Sequence, residues 1–125
     1  YQNEFLRRVN NERAKAGLKP VQLGDSNHNS AAQERAEEIA TVNSHVRPNG
    51  TKWYTVLSEY GVTDAAAGEN AAWGSVSPEE VVNAWMNSEG HRANILDPEA
   101  RAMGVGYYYN SSSTWGHQWI QLFTK

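Results

Sequence analysis

Four histidines, His28, His45, His91 and His117, and one glutamate in apolar company have the clearest capacity for chemistry in this chain. Imidazole is the commonest metal ligand and the side chain that titrates near neutral pH. His28 sits in the polar stretch GDSNHNS, near a helix start, and reads as exposed and inert. His45 lies where a helical pattern gives way to the RPNG turn, and is structural, solvent-facing or a ligand. His91 follows Gly90 at a helix end, where an imidazole either interacts with the helix C-terminus or lines a site. His117 stands in a predicted strand near Trp115 and Trp119, as a half-buried core residue or part of a site.

Glu69 is set in AAAGENAAWG, with small and apolar residues on both sides. A carboxylate there loses its hydration and needs a cation or a metal as partner to stay charged. The plain alternative is a glutamate that accepts backbone N–H groups and fixes a loop. No HExxH, GxSxG or P-loop motif is present. Ser44 and Ser88 neighbour candidate histidines in sequence, but a triad is defined in space. Asn49-Gly50-Thr51 and Asn110-Ser111-Ser112 match glycosylation sequons.

Composition narrows what these residues can do. With 125 residues the chain is one domain, 1–125, large enough to fold without staples. The first residues, from Tyr1, already follow a helical pattern, so the domain reads as excised from a longer precursor. Fourteen acidic against eleven basic residues give a net charge of −3, with no basic stripe. Nucleic acid and anionic membranes are therefore poor candidates as partners. No apolar run is long enough for a transmembrane helix. Cysteine is absent, so disulfides and thiolate chemistry are excluded, and a metal site must use His, Asp or Glu. The chain is expected to be a monomer.

The elements that would position these residues follow from periodicity. EFLRRVNNERAKAGL places Phe5, Leu6, Val9 and Ala16 on one helical face, with Gly17 as its C-terminal stop. SAAQERAEEIATVN sets Ala32, Ala36, Ile39 and Ala40 at helical spacing, its alanines implying close approach to another element. Its Glu34, Glu37 and Glu38 should face solvent. SHVRPNGTKW is a loop, in which Arg47 either pairs with an acid or points into water. WYTVLSEYG is a short helix. SPEEVVNAWMNS is a well-signalled helix: Ser77 caps it, Pro78 opens it, Glu80 completes a capping box, and Val81, Val82, Trp85 and Met86 form its stripe. Period-two alternation then takes over in RAMGVGYYY and WGHQWIQLFTK, which should pair antiparallel across the polar loop NSSST. Helices first and a small antiparallel sheet last make an α+β fold with helices packed on the sheet.

In order, SAAQERAEEIA, SHVRPNGTKW, GENAAWG, SPEEVVNAWMNSEGHRANIL, MGVGYY and WIQLF resemble the CAP superfamily of cysteine-rich secretory proteins, antigen 5 and plant pathogenesis-related proteins of group 1. The similarity is to its bacterial branch of SCP-like extracellular domains, and it spans essentially the whole chain. It implies a three-layer α–β–α sandwich and a secreted or cell-surface bacterial protein. It also implies a cleft lined, in eukaryotic members, by two histidines and two glutamates. His45 matches the first histidine and Glu69 the first glutamate. Ser88 stands at the second glutamate, and Gln118 at the second histidine with His117 beside it. The resemblance thus suggests His45, Glu69 and His91 as metal ligands for zinc or another divalent cation, with His91 in the missing histidine's role. Ser88, His117 and Gln118 are further cleft candidates. Asn70, Arg92 and Asn94 orient ligands or bond loop backbone, the latter two as scaffold of a turn that Gly90 permits. Three functions compete: a binding module for a metal, small ligand, lipid or peptide; a hydrolase using Glu69, His45 and His91; and a purely structural or interaction domain.

Overall fold

The computed structural model describes residues 1–42, 44–113 and 116–125. Asn43, at the tail of the second helical stretch, lies outside the described residues. So do Thr114, in the predicted hairpin loop, and Trp115, in the last predicted strand.

The first helix, α1, spans Gln2–Lys15; Phe5 and Val9 are fully buried, and Gly17 ends the turn with φ 76°. Its stripe departs from the reading at one end. Ala16 is exposed and Arg13 is buried instead. The Arg13 guanidinium donates to the carbonyls of Lys19, Ile95, Asp97 and Ala100 at 2.8–3.5 Å. A buried guanidinium is tolerated because it satisfies carbonyls that would otherwise lack partners.

The second helix, α2, spans Ser26–Ile39, starting earlier than its alanine pattern indicates because the Asp25 carboxylate caps it through the His28 N–H. That start turns His28 inward. It is 3 % exposed, and its Nε2–H donates to the Leu122 carbonyl at 3.0 Å. His28 is therefore not the exposed, inert residue expected. Burial, the largest effect, pushes its pKa down, against the opposing pull of the Leu122 carbonyl and nearby acids.

Four strands form one sheet in the order β1-β3-β4-β2: β1 Gln22–Leu23, β2 Ala66–Trp73, β3 Ala102–Tyr109 and β4 His117–Thr124. The predicted hairpin of β3 and β4 is antiparallel, from Ala102↔Thr124 to Tyr109↔His117. Two strands were not anticipated. The stretch around Glu69 is no loop but the edge strand β2, antiparallel to β4 with Glu69 opposite Leu122. Its small residues are covered on both faces, which erases the alternation that marks a half-exposed strand. The two-residue β1 pairs parallel with β3, so the sheet is mixed rather than wholly antiparallel.

Helices cover both faces, giving the α–β–α sandwich. Beneath lie α2 and the short α3, Thr55–Glu59, whose Val56 and Leu57 join Ala31, Ala32, Ala36, Ile39, Ile120 and Leu122 in one core. Opposite lie α1, α4 (Pro78–Met86) and α5 (Glu89–Ile95), whose Phe5, Val9, Val81, Val82, Trp85 and Ile95 pack on Met103, Val105, Trp119 and Phe123. At the α4 start the predicted Ser77 cap forms, its Oγ accepting the Glu80 N–H at 3.3 Å, but the Glu80 carboxylate accepts from the N–H of Val76 and not from that of Ser77 as in a capping box. The close approach implied by the alanines is to β3. A Cβ on Gly106 would fall inside the Ala32 carbonyl, so only glycine fits there.

Side chains from the helices bond outward backbone groups on both free edges of the sheet. On β3, the outward N–H groups of Val105 and Tyr107 donate to Asn29 Oδ1 and Gln33 Oε1, both at 3.0 Å. On β2, the carbonyls of Glu69 and Ala71 accept from Asn94 Nδ2 and Trp85 Nε1 at 3.2 and 3.1 Å. Edge groups bonded and covered in this way are poor templates for strand addition.

Candidate functional site

Glu69 projects from the α2 face of β2, and what meets it there is Arg35. Arg35 Nε donates to Oε2 at 2.7 Å and Nη2 to Oε1 at 2.9 Å, a bidentate pair whose side chains are 0 % and 1 % exposed. The cation that an isolated apolar carboxylate demands is thus a guanidinium of the protein itself. Sequence reasoning missed Arg35, although the signal was present. Arg35 lies on the apolar stripe of α2, between Ala32 and Ile39, where a charge needs a buried partner.

His45 is set by the same arginine. Arg35 Nη2 also donates to the Ser44 carbonyl at 2.9 Å, pinning the loop one residue before the imidazole. His45 Nδ1–H donates to Glu69 Oε1 at 2.7 Å while the side chain stays 59 % exposed. Arg47, whose destination was open, locks the rest of the loop from inside. It is 4 % exposed and bonds Glu34, Glu38 and Glu59 at 2.7–3.1 Å, and Thr55 Oγ1 at 3.0 Å. Glu34 and Glu38 are therefore not the solvent-facing acids expected, while Glu37 is. The Glu38 pKa is lowered: burial disfavours the carboxylate, but bonds from Arg47 and Arg35 outweigh it. A continuous chain of alternating charge runs Glu59–Arg47–Glu38–Arg35–Glu69–His45.

His91 arrives from the other helical layer. GHRANI is not a glycine turn: Gly90 lies inside α5, has no positive φ, and the chain reverses at Asn87–Ser88 instead. Helical N–H bonds such as Arg92 to Ser88 hold that segment, so no left-handed residue is required. α5 is tied down by Asn94, which donates to the Glu69 carbonyl and, at 2.9 Å, to Asn70 Oδ1. Asn70 Nδ2 in turn donates to the His91 carbonyl at 3.1 Å and to Gln121 Oε1 at 3.2 Å. A side chain at Gly68 would displace Asn94, so this glycine admits the contact. His91 is half-buried, with its ring 6.5 Å from Trp85 and its Nδ1 2.9 Å from Ser88 Oγ. Ser88, the departure from the eukaryotic pattern, thereby supports His91. Arg92 is exposed on α5.

The two imidazoles are electrostatically coupled. The hydrogen bond to Glu69 raises the His45 pKa, outweighing burial and the repulsion of Arg35. Burial lowers the His91 pKa, and repulsion from His45 lowers it further. Among the described residues no three His, Cys, Asp or Glu side chains converge as a metal cage. Both Glu69 oxygens are already bonded, which leaves the two imidazoles as the donors with a nitrogen to spare.

The remaining candidates sit at the hairpin end of β4. His117 Nδ1 is 2.6 Å from the Tyr107 hydroxyl, on the α1 side of the sheet. Gln118 is buried on the α2 side, where Nε2 donates to the carbonyls of Tyr108 and Gly116 and Oε1 accepts from Ser113 Oγ. Glu69 pairs with Leu122, several residues along the strand, so neither reaches the His45–Glu69 pair.

The family model of the cysteine-rich secretory protein family, CAP, matches residues 6–123. The chain belongs to the CAP family. Among curated proteins, this CAP domain is 40 % identical over 122 residues to the uncharacterized protein YkwD of Bacillus subtilis, covering 96 % of the chain and 47 % of that protein. Among solved structures it is similar to an SCP-domain extracellular protein of Bacillus anthracis (TM-score 0.85, 25 % identity, 99 % of this chain and 40 % of that one). An outer surface protein of Borrelia burgdorferi shares the fold at TM-score 0.81 and 21 % identity, covering 96 % of this chain and 88 % of that one. The CAP domain thus spans about half the length of YkwD. Among the described residues no helix is long and apolar enough to cross a membrane. With no cysteine, this CAP domain is held by buried ion pairs and packing instead of disulfides.

Proposed function

We propose that this CAP domain is an extracellular binding module whose cleft holds a divalent metal ion between the Nε2 atoms of His45 and His91. The observation that carries the reading is the way both rings are held. Each has its Nδ1 engaged, His45 on Glu69 and His91 on Ser88, and neither Nε2 has a hydrogen bond to a described residue. A carboxylate behind a histidine fixes its tautomer and raises its basicity as a ligand. Glu69 is assigned that orienting role, and Arg35 holds Glu69 in place. Two imidazoles leave further positions on a zinc-like ion for water, a small ligand or a peptide group. The bound ion would supply Lewis acidity and a fixed positive charge to such a ligand.

The hydrolase alternative needs Glu69 as a general base facing water, and a 1 % exposed carboxylate clamped by a guanidinium does not offer that. The extracellular placement is supported by the similarity to the extracellular SCP-domain protein of Bacillus anthracis.

Calorimetric titration of zinc into the domain tests the reading. His45→Ala and His91→Ala should each weaken binding at least tenfold. Glu69→Gln should weaken it by roughly 10–100-fold, the usual effect of losing an orienting partner. Wild-type affinity should rise with pH as His45 gives up its proton. Unchanged affinity in both histidine variants would overturn the reading.

A further inference from the structure

At the opposite edge of the sheet from His45, a groove of about 370 Å³ runs between the start of α1 and the face of α2, with Val105 of β3 as its floor. Its walls are Tyr1, Gln2, Ser26, Asn29, Ser30 and Gln33; none of these side chains is charged. The volume lies within the roughly 300–1,000 Å³ range of small-ligand sites.

Three observations limit what can sit there. The outward N–H groups of Val105 and Tyr107 are already bonded to Asn29 Oδ1 and Gln33 Oε1, so a peptide cannot add as a strand along this edge. No side chain of the walls offers a counter-charge to a charged ligand. What the groove offers is neutral hydrogen-bonding capacity. Asn29 is spent, since its Nδ2 also serves the carbonyls of Gly24 and Asp25. The hydroxyls of Ser26 and Ser30, the Gln2 amide and Gln33 Nε2 make no hydrogen bond to a described residue. Hydroxyls and amides that both give and take suit a ligand built of hydroxyls.

The aromatic wall supplies the other half of that chemistry. Tyr1 is 52 % exposed, its ring set edge-on against Tyr107 and Trp119 at centroid distances of 6.1 and 6.0 Å. The ridge continues past the groove through Tyr107 and His117 to Tyr109, which is 56 % exposed. Ring faces held in this way accept the C–H face of a pyranose, whose hydroxyls project from the rim toward donors and acceptors beside the platform. We propose that this groove binds a neutral saccharide, with a pyranose ring stacked on Tyr1 and its hydroxyls bonded by Gln2, Ser26, Ser30 and Gln33.

Titration of the ¹⁵N-labelled domain with cellotetraose and with tetra-N-acetylchitotetraose, followed by NMR, tests the site. The expected result is saturable shifts at the backbone amides of Ser26, Asn29, Ser30 and Gln33 with at least one sugar. Tyr1→Ala should weaken that binding at least tenfold. So should Gln33→Glu, which keeps the acceptor for the Tyr107 N–H but removes the amide donors. His45→Ala should leave it unchanged, separating the groove from the histidine cleft. Three results overturn the proposal: no groove shifts with either sugar at millimolar concentration, affinity unchanged in both groove variants, or binding abolished by His45→Ala.

Discussion

Arg35→Ala is the perturbation whose cost the structure specifies best. Wild-type Arg35 makes two bonds to a carboxylate that is 1 % exposed, and further bonds to the Ser44 carbonyl and Glu38. Removing the guanidinium leaves Glu69 in the core, with only the hydrogen bond from His45 on the same carboxylate. Breaking a buried pair by deleting one partner costs about 3–5 kcal/mol, chiefly through the stranded charge. Total stability for a domain is on the order of 5–15 kcal/mol, so a large share is at stake. Each kcal/mol shifts Tm by roughly 4 °C at this size, which predicts a drop of roughly 12–20 °C. Urea unfolding followed by tryptophan fluorescence reads the free energy directly. The companion variant is Arg35→Met with Glu69→Leu. Replacing both charges with apolar groups removes the stranded carboxylate, and stability should return to within about 2 kcal/mol of wild type. An Arg35→Ala cost below about 1 kcal/mol, or a double variant as unstable as the sum of its singles, would refute the electrostatic account.

Three other outcomes follow from the same coordinates. NMR titration should place the His45 midpoint above pH 6.5 and the His91 midpoint below it, with Glu69→Gln lowering the first and His45→Gln raising the second. Because the His45 pKa is raised on folding, its contribution to stability is present below pH 6.5 and lost as pH rises through its folded midpoint. The His28 pKa is depressed on folding, so its sign is opposite: stability is complete above pH 6.5 and falls as pH drops below it, seen as a lower urea midpoint at pH 5.5 than at 7.5 that His28→Gln flattens. Gly106→Ala should cost about 1–3 kcal/mol by overpacking, because the new methyl would collide with the Ala32 carbonyl; an unchanged urea midpoint would mean that α2 can lift off β3.

Local chemistry was legible wherever neighbours in sequence settle the structure. Ser77, Pro78 and Glu80 announced the start of α4, because a cap is satisfied within one turn. Alternation announced β3, since Met103, Val105 and Tyr107 share one face while Gly104 and Gly106 share the other. β2 was hidden because both of its faces are buried and its residues are small. His28 was misjudged because its polar neighbours face water while its own position faces the sheet, a matter of where Asp25 starts the helix.

The amino-acid sequence determined α1, the body of α2, α3, α4 with its cap, the closing hairpin, the family resemblance and the exclusion of cysteine chemistry. It also singled out His45, Glu69 and His91. The tertiary structure alone decided what each of them touches. The partners of Arg13, Arg35 and Arg47 arrive from distant parts of the chain: Ile95 for Arg13, Glu69 for Arg35, Glu59 for Arg47. A charge is stable in a core only where folding supplies its counterpart, and no local pattern records that meeting. For the same reason Glu69, a ligand candidate by its surroundings in sequence, is held in the folded chain as the buried acceptor that orients His45.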